Sequence, residues 1–141
     1  MDIEPAPTSA AVRRILRAAE LPTSDIDGLD LDLFLAAGNR DNPSGIIGLE
    51  PLGAVGLLRS LAVIPAARGT GLGGQLVRAL EALARVQGVQ GLFLLTTTAE
   101  PFFAAQGYAV IERGVVPRPI RESREFSSLC PDSATVMTKR L

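Results

Sequence analysis

The chain has 141 residues, of which 47% are hydrophobic and 21% are charged, and its formal net charge is −1. This balance gives no basic surface for nucleic acid, and no run of about 20 apolar residues is present to span a bilayer. Histidine is absent and Cys130 is the single cysteine, which excludes Ser-His-Asp and Cys-His catalysis, an intramolecular disulfide and the common zinc or thiolate sites. We therefore expect no nucleic-acid partner, no membrane partner and no metal.

The size of the chain predicts a single domain over residues 1–141, because a chain of this length can bury one core without staples. Its start, "MDIEPAP", lacks the basic and then apolar pattern of a secretory signal. A single cysteine is typical of a reducing compartment. A cytoplasmic location is expected.

The N-terminal half is predicted to form one helix and three strands. Apolar residues at helical spacing predict a helix over 8–22, with Thr8 or Ser9 as its N-cap. Leucine alternates with aspartate or phenylalanine over 29–38, which is typical of a strand with one polar face at its start. Turn-forming residues predict a hairpin loop over 39–45. The next strands are expected over 46–53, where Pro51 should bend or end the strand, and over 54–65.

The C-terminal half alternates helices and strands. A stripe of leucine and alanine predicts a helix over 73–87, in which Glu81 and Arg85 form an i,i+4 pair. The remaining predicted elements are a buried parallel strand (91–98), a short helix (99–107), two strands (108–112 and 134–140) and an arginine-rich segment between them (113–133) with one or two helical turns.

A glycine-rich loop, "RGTGLGG" (68–74), lies between the strand at 54–65 and the following helix. Such a loop favours a phosphate, because the first N–H groups of a helix are unpaired and the helix dipole attracts an anion. The nucleoside-triphosphate pattern fails because no lysine is near. The dinucleotide pattern is matched by Gly69, Gly71 and Gly74, but fewer than 70 residues follow, too few for that fold. A glycine-rich helix start without any ligand is the remaining alternative.

A third phosphate-loop pattern, [RQ]-x-x-G-x-[GA], is satisfied by Arg68, Gly71 and Gly73. Here the sequence resembles the GNAT superfamily of acyl-CoA-dependent N-acetyltransferases. "LRSLAVIPAARGTGLGGQLVRALEALA" is similar to that family's strand, pyrophosphate loop and helix, and "TTTAEPFFAAQGY" to its next strand end and helix. The phrases "LTTTAEPFFAAQGY" and "REFSSLCPDSA" are similar to the arsenic-resistance-operon N-acetyltransferase branch.

The resemblance implies an α/β (α+β) fold with a mixed, mostly antiparallel sheet of six to seven strands and about four helices. It also implies a splayed parallel strand pair that holds acetyl-CoA as co-substrate. Pantetheine would bind the main chain of one strand, and the pyrophosphate would bind the glycine loop. The coenzyme-binding residues implied are Leu61, Ala62, Val63, Arg68, Gly69, Thr70, Gly71, Leu72, Gly73, Gly74, Thr96 and Phe103.

The catalytic groups are less well defined by the resemblance. The family's usual general-acid tyrosine corresponds to Phe103, which cannot donate a proton, and Tyr108 is interpreted as a core residue. Glu50 is the first candidate for the base and Glu100 the second. Arg59 lies in an apolar strand and should face a cleft or a partner, because an unpaired buried guanidinium is costly. Strand alternation predicts that Ser60 faces the other side.

For the acceptor, Arg121 and Arg124 are candidates to hold a substrate carboxylate or oxyanion, the alternative being a solvated, salt-bridged loop. The implied activity is direct acetyl transfer, in a ternary complex, to the amine of a small molecule, either amino-acid-like or an arsenic- or phosphorus-containing toxicant. A non-catalytic acyl-CoA sensor or partner module is the alternative function. Pairing through C-terminal strands, as in many relatives, would give a homodimer.

Overall fold

The computed structural model describes residues 2–6, 8–21, 23, 33–39, 42–124, 126–127 and 133–141. The sheet contains seven strands, β1 (Ile3–Pro5), β2 (Phe34–Gly38), β3 (Pro43–Leu52), β4 (Val55–Val63), β5 (Gly91–Thr96), β6 (Ala109–Val110) and β7 (Thr135–Arg140). The four α-helices of the described part are α1 (Ser9–Ala18), α2 (Leu72–Val86), α3 (Glu100–Ala105) and α4 (Arg118–Arg121).

The strand order is β1-β2-β3-β4-β5-β7-β6, and every neighbouring pair is antiparallel except β4 and β5. The parallel pair requires a crossover, which α2 provides over one face of the sheet. This is the mixed, mostly antiparallel sheet that the resemblance implies, and the fold prediction is confirmed.

The parallel pair is joined only near its start. Val55 lies opposite Gly91 and Leu57 opposite Phe93, and in these two fully described strands no ladder pair follows. β4 continues to Val63, paired with β3 alone, while the end of β5 is paired with β7. The backbone of β4 beyond Leu57 therefore has an edge that faces the gap between the two strands.

Helices cover both faces of the sheet. On one face α2 and α3 bury a leucine-rich cluster that includes Leu76 and Leu80. On the other face α1 packs Val12 and Leu16 against Phe34, and α4 packs Ile120 into a separate small cluster. The buried polar residues Arg59 and Ser60 of β4 belong to neither of these two clusters.

Several local predictions need correction. β3 starts at Pro43, inside the predicted loop 39–45. It also runs through Pro51 to Leu52, because the ladder does not require a backbone N–H donor at the position of Pro51. β1 was not predicted. The described part of β2 is buried on both faces, and the predicted polar face at 29–32 lies outside the described residues.

The predicted helix over 8–22 is α1, and the Thr8 hydroxyl accepts a hydrogen bond from the Ala11 N–H at 3.1 Å, as expected of an N-cap. In α2 the prediction of a Glu81–Arg85 pair is wrong. Glu81 is buried and instead accepts hydrogen bonds from the Tyr108 hydroxyl and the Lys139 ammonium group, each at 2.9 Å. Tertiary packing has overridden the local spacing.

Candidate functional site

The glycine loop connects the end of β4 to α2 through a short 3₁₀ turn. Gly69 and Gly71 have φ angles of +76° and +84°, which L-residues with side chains adopt only with strain. Gly71 is the N-cap of α2, and the first helical hydrogen bond runs from the Gln75 N–H to its carbonyl oxygen. The N–H groups of the first turn are left for an anion.

A cavity of about 460 Å³ lies at this loop. Seven of the predicted coenzyme residues line it, together with four others. The complete set is Val63, Ala67, Arg68, Gly69, Gly71, Leu72, Gly73, Gly74, Arg78, Phe102 and Gln106.

Two arginines place positive charge beside the loop. Arg68 is exposed, and its Nε donates to the Val63 carbonyl oxygen at 3.3 Å, which fixes it at the end of β4. Arg78 is also exposed and follows Gly74 by one helical turn on α2. Sequence reasoning missed Arg78, although the four-residue spacing from a loop glycine is a usable signal.

α3 forms the other wall of this cavity through Phe102 and Gln106. A Cβ on Gly73 would lie 3.1 Å from Cζ of Phe102, and one on Gly74 would lie 3.3 Å from Nε2 of Gln106. These two glycines therefore allow α3 to approach α2 closely. That role was not foreseen, because it depends on a contact between residues distant in sequence.

The other five predicted coenzyme residues do not line this cavity. The Thr70 hydroxyl donates to the Ala67 carbonyl oxygen, and the Thr96 hydroxyl accepts from the Ala99 N–H just before α3.

The ring of Phe103 is buried against Phe102 and Tyr108, so Phe102 and not Phe103 faces the cavity. Leu61 and Ala62 lie on the part of β4 that borders the gap.

β4 contains a bulge at this point. Arg59 pairs with Gly48 and Ala62 with Ile46, so one extra residue is present on β4, and Ser60 has a φ of +61°. The prediction that Arg59 and Ser60 face opposite sides is wrong, because the bulge brings Nε of Arg59 to 3.1 Å from Oγ of Ser60. A positive φ at a non-glycine residue is a strained conformation of the kind that accumulates at functional sites.

The guanidinium of Arg59 is fully buried on the α1/α4 face of the sheet. Of the two predicted surroundings, a cleft or a partner, the structure gives Arg59 polar partners rather than an open cleft. Its Nη1 lies 3.5 Å from Oε1 of Glu50, whose side chain is 17% exposed. Glu50 in turn lines a second cavity of about 610 Å³, together with Leu52, Arg118, Pro119, Glu122, Ser123 and Arg124.

This second cavity brings together the predicted base, Glu50, and one of the two predicted substrate residues. Arg124 lines it, whereas Arg121 is exposed at the end of α4 and does not. Glu100 is exposed in the first turn of α3 and lines neither cavity. Arg118 donates to Glu122 at 2.7 Å on the exposed surface. The cavity therefore carries both a carboxylate at its wall and guanidinium groups.

Tyr108 is a core residue, as its sequence position predicts. Burial, and then the neighbouring carboxylate of Glu81, raise the pKa of Tyr108 far above its ordinary value. Among the residues that the structure describes, no cluster of three or more histidine, cysteine, aspartate or glutamate side chains could hold a metal ion. Within the same residues, none of the helices is long and apolar enough to cross a membrane.

Comparison with known proteins points to one family. The family model described as "Acetyltransferase (GNAT) domain" matches residues 30–110, more than half of the chain. The amino-acid acetyltransferase of Ralstonia nicotianae is 41% identical over 58 residues, but the match spans only 13% of that enzyme and 41% of this chain.

Two solved structures share the fold. Rv2747 from Mycobacterium tuberculosis, in complex with CoA and NLQ, is 25% identical with a TM-score of 0.79 over 100% of this chain and 99% of that one. N-acetylglutamate synthase from Neisseria gonorrhoeae, complexed with coenzyme A and N-acetyl-glutamate, is 21% identical with a TM-score of 0.80 over 99% of this chain and 35% of that one. The chain belongs to the GNAT acetyltransferase family, whose members use acetyl-CoA as co-substrate.

Proposed function

We propose that this chain transfers an acetyl group from acetyl-CoA to the amine of a small, amino-acid-like molecule. The observation that carries the proposal is the gap between β4 and β5, which has the glycine loop at its end and the Glu50 cavity beside its start. The names of two relatives, an amino-acid acetyltransferase and an N-acetylglutamate synthase, support an amino acid as the acceptor.

The coenzyme side depends on main-chain groups. The N–H groups at the start of α2, with Arg68 and Arg78 beside them, would hold the pyrophosphate. The free edge of β4 at Leu61 and Val63 would pair with the pantetheine amides in the place that β5 leaves. Acetyl-CoA, when bound, supplies an activated thioester carbonyl whose leaving group is a thiolate.

The acceptor side depends on charged side chains. An amino acid has a carboxylate, which Arg124 and the nearby Arg121 would attract, and an ammonium group, which must lose a proton before it can attack. Glu50 lies at the cavity wall and is held there by Arg59, so it is the proposed proton acceptor, directly or through a water. The unpaired backbone of the β4 bulge is the proposed donor that polarises the thioester carbonyl.

The leaving thiolate needs no side-chain acid in this proposal. A thiol of pKa about 8.5 leaves readily as its anion and can take a proton from water. Phe103 cannot donate one, and the Tyr108 hydroxyl is buried on Glu81 with a raised pKa. Phe103 is also the feature that favours the competing proposal, an acyl-CoA sensor without catalysis.

The test is thiol release from acetyl-CoA with a panel of acceptors. The panel pairs each amino acid with its decarboxylated amine and includes amino-acid analogues that have an arsenic or phosphorus oxyanion, because an oxyanion offers a guanidinium the same charge. We expect release with the amino acids or these analogues and little with the decarboxylated amines. Coenzyme binding without release for any acceptor would instead indicate the sensor.

Variants separate the roles of the charged residues. Glu50→Gln should lower kcat by about 10²-fold or more, the range typical of a lost general base. Arg124→Met should raise the acceptor KM with little change in kcat, and Arg121→Met should raise it less because its side chain is outside the cavity. Arg140→Met, at the exposed end of β7, is the control for general loss of positive charge. Unchanged kinetics in all three test variants would refute this assignment of the cavity.

A further inference from the structure

A second charged cluster lies at the junction of α2, α3 and β7. It includes none of the catalytic candidates Glu50, Arg59 and Glu100. It consists of Glu81 from α2, Tyr108 just after α3 and Lys139 from β7. The Lys139 ammonium group lies 2.9 Å from Oε2 of Glu81, and the same oxygen accepts from the Tyr108 hydroxyl at 2.9 Å. The ammonium group also lies 5.6 Å from the centroid of the Tyr108 ring, within range of a cation–π contact.

Lys139 makes one further contact, which links the cluster to the coenzyme cavity. Its ammonium group donates at 3.0 Å to the carbonyl oxygen of Gln106, the residue that ends α3. A positive charge at a helix C-terminus satisfies an unpaired carbonyl and interacts favourably with the helix dipole. The lysine stem packs closely on Gly107, where a Cβ would lie 3.3 Å from Cε of Lys139.

α3 depends on such contacts for its position. It has six residues, too few to be stable as an isolated helix, so its packing and end contacts fix where it lies. At its start the N–H of Ala99 is held by Thr96, and at its end the Gln106 carbonyl is held by Lys139. Phe102 and Gln106, which this helix carries, form one wall of the coenzyme cavity.

We infer that Lys139 is a positioning residue for the coenzyme: it ties the end of α3 to Glu81 of α2, and so holds the two walls of the coenzyme cavity at a fixed separation. The inference rests on the proposed binding of acetyl-CoA at the glycine loop. Lys139 is the only lysine of the chain, whereas the positive charges beside the loop and in the acceptor cavity are all arginines. A compact ammonium group can reach a carboxylate, a carbonyl oxygen and a ring face at once, which a planar guanidinium does less easily.

Lys139→Met tests this inference, with the Kd of CoA measured by calorimetry. We expect the Kd to rise about tenfold, within the range that misplaced positioning groups produce. The KM of the acceptor should stay unchanged, because the acceptor cavity lies on the other face of the sheet. The melting temperature should also fall, because Glu81 is left buried without its cation.

A second variant separates positioning from general stability. In the double variant Lys139→Met with Glu81→Gln, the amide oxygen still accepts from the Tyr108 hydroxyl and no unpaired carboxylate remains, so the melting temperature should partly recover. The Gln106 carbonyl stays without its ammonium partner, so the Kd should stay high. Recovery of the Kd together with the melting temperature would overturn the inference.

Val12→Ala is the stability control, because Val12 is fully buried in α1 on the opposite face of the sheet. It should lower the melting temperature and leave the Kd of CoA unchanged. If the unmodified protein does not bind CoA, the proposed function fails. If it binds CoA and Lys139→Met binds equally well, only the present inference fails.

Discussion

Gly71→Ala separates the role of the glycine loop in folding from its role in binding. Gly71 has a φ of +84°, and a Cβ there would have nothing within 4 Å, so the methyl group meets no steric clash in the protein itself. The left-handed conformation costs an alanine about 1 to 2 kcal/mol, and the smaller entropy of the unfolded chain returns about 0.5 kcal/mol. The net loss in the free energy of unfolding should be about 1 kcal/mol.

The loss in coenzyme binding should be larger than the loss in stability. Gly71 lines the cavity at the N-cap of α2, where a phosphate has to approach the backbone within hydrogen-bond distance. A hydrogen bond to a charged group contributes about 1.5 to 3 kcal/mol. The loss of one such bond raises the Kd of CoA by about 10- to 100-fold.

Gly88→Ala is the matched control for this prediction. Gly88 follows the other end of α2, has a φ of +81° and likewise has nothing within 4 Å of a Cβ. It should lose about the same stability, since the backbone strain is the same, but it lies far from the loop along the helix axis. Denaturant unfolding gives the stability of both variants, and calorimetry gives the Kd of CoA. Equal Kd values for the two variants would refute the assignment of the phosphate site to this loop.

Two further predictions concern pH and packing. Because burial beside Glu81 raises the pKa of Tyr108, the folded protein keeps this proton above pH 10 while the unfolded chain loses it, so the free energy of unfolding should fall as pH rises above about 10. Tyr108→Phe should lessen that fall. Tyrosinate absorbance reports on Tyr108 without interference, because it is the only tyrosine and tryptophan is absent, and this absorbance should appear only on unfolding. Its appearance in the folded protein near pH 10 would contradict the raised pKa. Gly48→Ala should cost about 1 to 3 kcal/mol of stability, because a Cβ would lie 2.6 Å from the fully buried ring of Phe34. Gly114→Ala, where a Cβ meets nothing within 4 Å, should cost little in the same unfolding assay, and equal losses for the two alanine variants would count against the packing argument.

The sequence predicted the parts of the fold that depend on local spacing. The leucine stripe of α2 and the buried run of β5 are periodic patterns that one face of a helix or an interior strand requires. The glycine loop was recognisable because its residues need conformations that other residues resist, as the φ angles of Gly69 and Gly71 show. The parallel strand was predicted because the run over 91–98 is mostly apolar, which is typical of a strand buried on both faces.

Features that depend on a change of register were not predictable. The bulge in β4 adds one residue opposite Ile47, which turns the side chain of Ser60 towards that of Arg59 and reverses the expected alternation. Nothing in the local pattern of this apolar strand specifies where an extra residue is accommodated. The partner of Arg59 could not be identified from the local pattern either, because Glu50 lies on the neighbouring strand.

Long-range contacts explain the remaining differences at the coenzyme site. Position in the family pattern pointed to Phe103, but α3 is oriented so that Phe102 faces the cavity and Phe103 packs on Tyr108. The pairing of Glu81 with Lys139 joins residues 58 apart in sequence, beyond the reach of helical spacing rules. In both cases the packing of α3 against α2 decides which side chain is available.

The two halves of the proposed site depend on the sequence in different ways. In this proposal coenzyme binding would use main-chain groups of α2 and β4, so it would tolerate side-chain change as long as the loop glycines keep their conformations. The acceptor half instead depends on the buried guanidinium of Arg59, which contacts Glu50 on β3 and Ser60 in the β4 bulge. A buried charge keeps its polar partners close, because losing one is costly. The proposed proton acceptor and the strand edge proposed to face the thioester are therefore held by one group, and a change at either end of this link should move both.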